Sequence, residues 1–198
     1  MLEKIAKQVV AAVQTPVTGK IRIGWDHNHY VALDVAKILE DNGVEAITVH
    51  ARTASDGYGN TIKPDFIKAI KETVRIPVIG NGDIITPQDA GKMLRETGCD
   101  AVMVGRGTIG NPWLIRNIDN YLNGRKIYIP GFEDKVVLCL NHLELEIEHR
   151  GAEQANKIMR KFYGGYFKGF EGAATIRREL VTAQSVENTK EILHKLIH

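Results

Sequence analysis

Over the first 110 positions, apolar residues fall into short β-branched runs that end at Gly or a polar residue. Each run is followed by a stretch with helical spacing. Residues 17–24 form the first run. Residues 30–41 read as its helix, with Val31, Val35, Ile38 and Leu39 on one face and Gly43 as the stop. Residues 46–50 are the second run, and after a loop residues 65–73 are its helix. Residues 77–80 are the third. Thr86 then caps a helix that has Pro87 at its first position and Asp89 placed to complete a capping box, and Gly98 ends it. Residues 101–104 are the fourth run, followed by the turn Gly105-Arg106-Gly107. Strands alternating with helices through short connections predict a parallel sheet with right-handed crossovers. Four units fill about 120 residues, whereas a complete (β/α)8 barrel takes about 250. Half a barrel and an open doubly wound sheet both fit that length.

Beyond Asp119 the pattern changes. Residues 123–125 and 129–131 mark a linker. Residues 134–149 then predict an amphipathic helix, apolar at Val136, Val137, Leu140, Leu143 and Ile147. Three more helices are expected over 152–168, 173–184 and 187–197, punctuated by Gly151, Gly169 and Gly172. This predicts an α/β domain over residues 1–123 and a separate all-helical domain over 124–198.

Composition adds constraints. Of 198 residues, 43% are hydrophobic and 25% charged, ordinary for a globular protein. No apolar run is long enough to span a bilayer, and residues 1–4 do not resemble a signal peptide. Two cysteines, Cys99 and Cys139, offer neither a disulfide framework nor a zinc spacing, so no metal is expected and the reducing cytoplasm is the expected compartment. The net charge of +2 is uneven: residues 157–198 hold eight Lys/Arg against four Glu. A basic helical tail suits a polyanionic partner, although a solvated surface is the plainer reading of charge alone.

Polar residues gather where the runs end, the ligand-binding side of α/β folds. Lys20 and Arg22 alternate with apolar neighbours on the first run, His50 and Arg52 close the second, Asn81-Gly82-Asp83 the third and Gly105-Arg106 the fourth. A lysine inside an apolar strand is costly to bury without an anion, and glycine turns let backbone N–H groups approach a phosphate. Together they predict a phosphorylated cofactor or substrate, with Lys20 and His50 near its reactive end.

The segments 17–26, 47–53, 78–84 and 98–113 resemble the tRNA-dihydrouridine synthases of bacterial B-type, as do Arg160-Lys161 through Gly169, Gly172-Ala173-Ala174 and Arg177-Arg178. The resemblance implies the C-terminal half of a (β/α)8 TIM barrel followed by a helical tRNA-binding domain. It implies FMN-dependent reduction of a tRNA uridine at C5–C6, with NADPH reducing the flavin and a cysteine acid protonating C5. By motif, Lys20 contacts the isoalloxazine, His50 and Arg52 lie beside the flavin, and Arg22 faces the substrate. Asn81, Gly82 and Asp83 take the ribityl-phosphate region, and Gly105 and Arg106 the phosphate. Arg160, Lys161, Lys168, Arg177 and Arg178 are the implied tRNA contacts.

Departures from the family accompany it. Its first four strands and the Asn-x-x-Cys-Pro-type segment with the acid cysteine have no counterpart here, so the chain is expected to be truncated and inactive alone. Cys99 enters its strand from the helix side and Cys139 lies in the helical domain, so neither is expected to be the acid. Gly19 stands where a larger apolar residue is usual, and Asn60 replaces a small residue after Tyr58. A flavin- or RNA-binding fragment without catalysis is the alternative. Another FMN barrel, such as a dihydroorotate dehydrogenase, is disfavoured by the basic helical tail. A half barrel would also expose strand edges at 17–23 and 101–104. Its apolar face, with Ile21, Ile47, Val49, Val78 and Met103, would either pair two copies or leave the chain loosely packed.

Overall fold

The structure is a computed structural model that describes residues 1–57, 59 and 61–197. Tyr58 and Asn60, and with them the expected departure at Asn60, lie outside the described residues. By contact the chain divides into two units, residues 1–107 with 118–125, and residues 108–117 with 126–198.

The first unit runs α1 (Leu2–Ala12), β1 (Thr18–Arg22), α2 (Ala32–Asp41), β2 (Ala46–His50), α3 (Asp65–Thr73), β3 (Val78–Asn81), α4 (Pro87–Thr97) and β4 (Ala101–Met103). The strands pair in parallel in the order β1-β2-β3-β4, and each helix packs on the next. The capping box of α4 is present: the Thr86 hydroxyl accepts from the Asp89 N–H, and the Asp89 carboxylate accepts from the Thr86 N–H at 2.8 Å. Helix α1 has no counterpart in the sequence expectation. Leu2, Ala6 and Val10 recur at helical spacing and pack on the core of this unit.

Register fixes which face each strand residue occupies. Gly19 pairs with Ile47 and Ile21 with Val49, while Ile47 pairs with Val78. Ile47, Val49 and Val78 are fully buried in one core with Ala36, Leu39, Ile67 and Ile70 from the helices, and Ile21 packs against it. Four of the five residues expected on an open apolar face therefore lie under the helices. The opposite face carries Lys20, Arg22, Thr48, His50 and Asn81 with Ile79 and Met103. The apolar anchors expected to draw two copies together are thus on the wrong side, because alternate residues of a strand point to opposite faces. Gly19 also has a packing reason: a Cβ there would sit 2.9 Å from Leu39 Cδ1.

A 3-10 turn over Arg106–Thr108 leads to α5 (Trp113–Leu122), where the sequence suggested the approach to a linker. Leu114 and Ile118 are buried and account for it. The second unit adds α6 (Phe132–Arg150), α7 (Ala152–Met159), α8 (Tyr163–Tyr166), α9 (Ala173–Thr182) and α10 (Val186–His194). The helix expected over 152–168 is broken between α7 and α8. Gly165 lies so close to residue 109 that a Cβ would stand 2.6 Å from the Ile109 carbonyl oxygen. The core gathers Val136, Leu143, Met159, Tyr163, Phe167, Leu180 and Leu193. Asn156 ties its polar interior, donating to the Ala183 carbonyl at 3.1 Å and accepting from the Thr189 hydroxyl at 3.0 Å. Among the described residues no helix is long and apolar enough to cross a membrane.

Candidate functional site

The parallel strands deliver Arg22, His50 and Asn81 to one register row, so their side chains emerge together at the C-terminal end of the sheet. Lys20 lies two pairs behind on the same face. Its ammonium donates to the Asn81 side-chain oxygen at 3.4 Å, and the Asn81 amide donates to the Met103 carbonyl at 2.8 Å. Burial first, and then the Arg22 charge, lower the Lys20 pKa. Arg22 turns toward the loop after β2 and donates to the Thr53 carbonyl at 2.6 Å.

His50 is 7% exposed, and its ring has no hydrogen-bond partner among the described residues. Burial, reinforced by Arg22, Lys20 and Arg52, lowers its pKa to about 4, against the opposing pull of Asp83. The imidazole is therefore neutral at pH 7.

Arg52, 3% exposed, donates to both Asp83 carboxylate oxygens, at 2.9 and 2.6 Å. Arg106 reaches the same carboxylate at 3.2 Å. Hydrogen bonding from Arg52 is the largest cause holding Asp83 below the usual carboxylate range. The backbone enables this: Gly82 has φ 143° and Asp83 φ 47°. Few residues besides glycine tolerate the first value, and Asp is among the few that tolerate the second. A side chain at Gly82 would also put its Cβ 2.8 Å from Ile62 Cγ2. The contact from Arg106 to Asp83 brings the turn after β4 and the turn after β3 to the same end of the sheet. All nine residues expected around the cofactor thus fall in one unit and on one side of it.

Sequence reasoning missed the groups that shape the neighbouring loops. Asp56, buried, accepts from the Thr53 N–H and hydroxyl at 2.8 Å and faces His27 Nε2 at 3.1 Å. Lys63 donates to the Tyr30 hydroxyl at 2.5 Å. No local pattern announces the contacts from Asp56 to His27 or from Lys63 to Tyr30, the latter 33 residues apart.

In the second unit Arg160, Lys161, Lys168 and Arg178 are exposed. Arg177 is half-buried and donates to the Phe167 carbonyl, so it ties down the end of α8. Cys99 is buried against Gly80 and Met93, and Cys139 is buried in the helical core, where desolvation pushes its thiol up to about 12. Among the described residues no group of three or more His, Cys, Asp or Glu could hold a metal ion.

With this geometry in place, the chain can be set beside known proteins. The family model of the dihydrouridine synthases (Dus) matches residues 1–198. The probable tRNA-dihydrouridine synthase of Rickettsia conorii is 42% identical over 175 residues, which cover 88% of this chain and 53% of that protein. Probable tRNA-dihydrouridine synthase 1 of Synechocystis sp. is 37% identical over 196 residues, 98% of this chain and 55% of its own. The tRNA-dihydrouridine synthase B of Vibrio vulnificus is 40% identical over 179 residues, 90% of this chain and 56% of its own. The chain spans about half the length of the curated relatives it matches.

Proposed function

The chain belongs to the dihydrouridine synthase family, and on that premise we propose that the protein reduces a uridine of tRNA to 5,6-dihydrouridine, with FMN as cofactor and NADPH as reductant. One observation carries the reading: Lys20, Arg22, His50, Asn81 and the Arg52–Asp83–Arg106 cluster converge at one end of a parallel sheet. On this reading the four βα units are the C-terminal half of a (β/α)8 barrel, and residues 1–123 are its flavin-binding part. Residues 124–198 are the tRNA-binding domain, and the substrate places the protein in the cytoplasm.

The residues fit a flavin mononucleotide. Four cationic side chains stand against the single carboxylate of Asp83, and the space a Cβ would take at Gly105 is open. Arg106 and the N–H groups at Gly105 and Gly82–Asp83 would hold the phosphate, Asn81 the ribityl chain and Lys20 the pyrimidine edge of the ring, where negative charge collects on reduction. Held there by these residues, a flavin would supply hydride chemistry toward C6 of uridine. His50, neutral at pH 7, offers one ring N–H and one lone pair, which orient a ligand without adding charge. Asp83 keeps Arg52 and Arg106 in place. Neither cysteine of the chain is placed to protonate C5, since both are buried in cores.

That last point favours a second reading, a flavin- or RNA-binding protein without catalysis. Fluorescence titration with FMN tests the shared part. Arg106→Ala removes a charge-assisted contact, with an expected loss of about ten- to a hundredfold in affinity. An unchanged affinity would overturn the phosphate assignment. Dihydrouridine measured in tRNA incubated with the chain, FMN and NADPH separates the two readings: turnover favours the enzyme, and flavin binding without turnover favours the second.

A further inference from the structure

The helical unit holds a pocket that the flavin chemistry leaves unused. A cavity of about 250 Å3 is lined by Phe132, Lys135, Lys168, Gly169 and Phe170. Phe132 and Lys135 lie in the first turn of α6, and residues 168–170 form the loop between α8 and α9. The two rings meet edge to face with centroids 5.1 Å apart. Phe132 also leans on Phe167 at 6.3 Å, which fixes it while leaving it 38% exposed. Neither lysine ammonium has a hydrogen-bond or ion-pair partner among the described residues, and no carboxylate lines the cavity. Glu133 and Glu171, beside Phe132 and Phe170 in sequence, are not among the lining residues.

A half-buried Phe170 ring and an exposed Phe132 ring beside two uncompensated ammonium groups suit a planar ring that carries its own negative charge. An apolar helix docked here would desolvate both lysines without a counter-charge. The cavity is smaller than the roughly 300–1,000 Å3 of pockets that enclose whole drug-sized ligands, so a single nucleotide is the matching size. We propose that this pocket holds one nucleotide of single-stranded RNA, its base stacked on Phe170 and its phosphate on Lys135 and Lys168. The proposal rests on the reading of the protein as tRNA-binding; it keeps Lys168 of the implied contacts and adds Lys135 and the Phe170 ring, apart from the Arg160–Lys161 and Arg177–Arg178 pairs.

The test is an NMR titration of the 198-residue chain with hexauridylate, with an RNA duplex of equal length and with inorganic phosphate. Hexauridylate is expected to shift the amides of Gly169 and Phe170, and the other two to leave them in place. The double change Lys135→Gln and Lys168→Gln should lower the log–log salt slope of hexauridylate binding by about 0.7, the value for the one single-strand phosphate that both lysines hold. Phe170→Leu should weaken binding by about five- to a hundredfold with the slope unchanged, the signature of a lost stack. Unmoved amides on adding hexauridylate would overturn the proposal whatever the chain does with flavin, and so would an equal response to phosphate or duplex. Failure to form dihydrouridine with the shifts intact would instead sink the enzymatic reading and leave this one standing.

Discussion

His50 closes β2 among Lys20, Arg22 and Arg52, and its pKa of about 4 is set by burial first and by these cations second. An NMR titration of its ring should give a midpoint near that value, and Lys20→Met should raise it by removing one of the cations. A midpoint at the ordinary value of about 6.5 would contradict the burial. The sign for stability follows. Between pH 6.5 and 4 the unfolded chain takes up a proton at this position that the folded chain does not. Folding free energy is therefore lost as pH falls through that window, and His50→Gln should flatten the loss. Arg52 offers a second check. Its side chain is buried while that of Asp83 is 41% exposed, and Arg106 also holds the carboxylate. Arg52→Ala should thus cost about 2 kcal/mol in urea unfolding, the range for a charge-assisted contact, rather than the larger penalty of a fully buried orphan. The cationic positions were legible because polar residues interrupt apolar strands. The role of Arg177 was not, since the Phe167 carbonyl it serves is brought to it only by the packing of α8 and α9.

Elements were legible in proportion to how local their causes are. The capping box at Thr86 is written into four consecutive residues, and Thr86→Ala should cost about 1 kcal/mol, read from the thermal midpoint. The strand faces were also written in the sequence, in the alternation of Lys20 and Arg22 with Gly19 and Ile21, and of Thr48 and His50 with Ile47 and Val49. Choosing Ile21 and Ile47 for the open face set apolar content above parity, and the helices claimed those residues. Gly19 belongs to the same account. Its lack of a side chain looks like a weakness along the strand, but Leu39 fills the space across the layer. Helix α1 and helix α5 had clear apolar spacing. They were missed because α1 precedes the first strand of the repeat and α5 runs into the segment read as linker.

At the scale of the molecule there are two cores, one built on the sheet and one on the helices. A large-to-small change in either should act on that core first. Leu143→Ala and Ile70→Ala, both fully buried, should each cost about 2–5 kcal/mol. Hydrogen exchange should show the loss of protection concentrated in the helices for Leu143→Ala and in the sheet for Ile70→Ala. A uniform loss in both variants would mean that the cores melt as one cooperative unit. The way the chain is divided between them has a further consequence. Residues 108–117 group with the helices, residues 118–125 group with the sheet, and the chain then returns to the helices. It crosses between the units three times, so no single break in the backbone parts the two cleanly. A recombination event with one crossover point would strand a segment of at least one unit in the wrong parent. Sheet and helices are therefore expected to have been inherited as a pair, and a chimaera joined between residues 117 and 118, which splits both units, should fold less well than one joined at 107/108 or 125/126, which splits one.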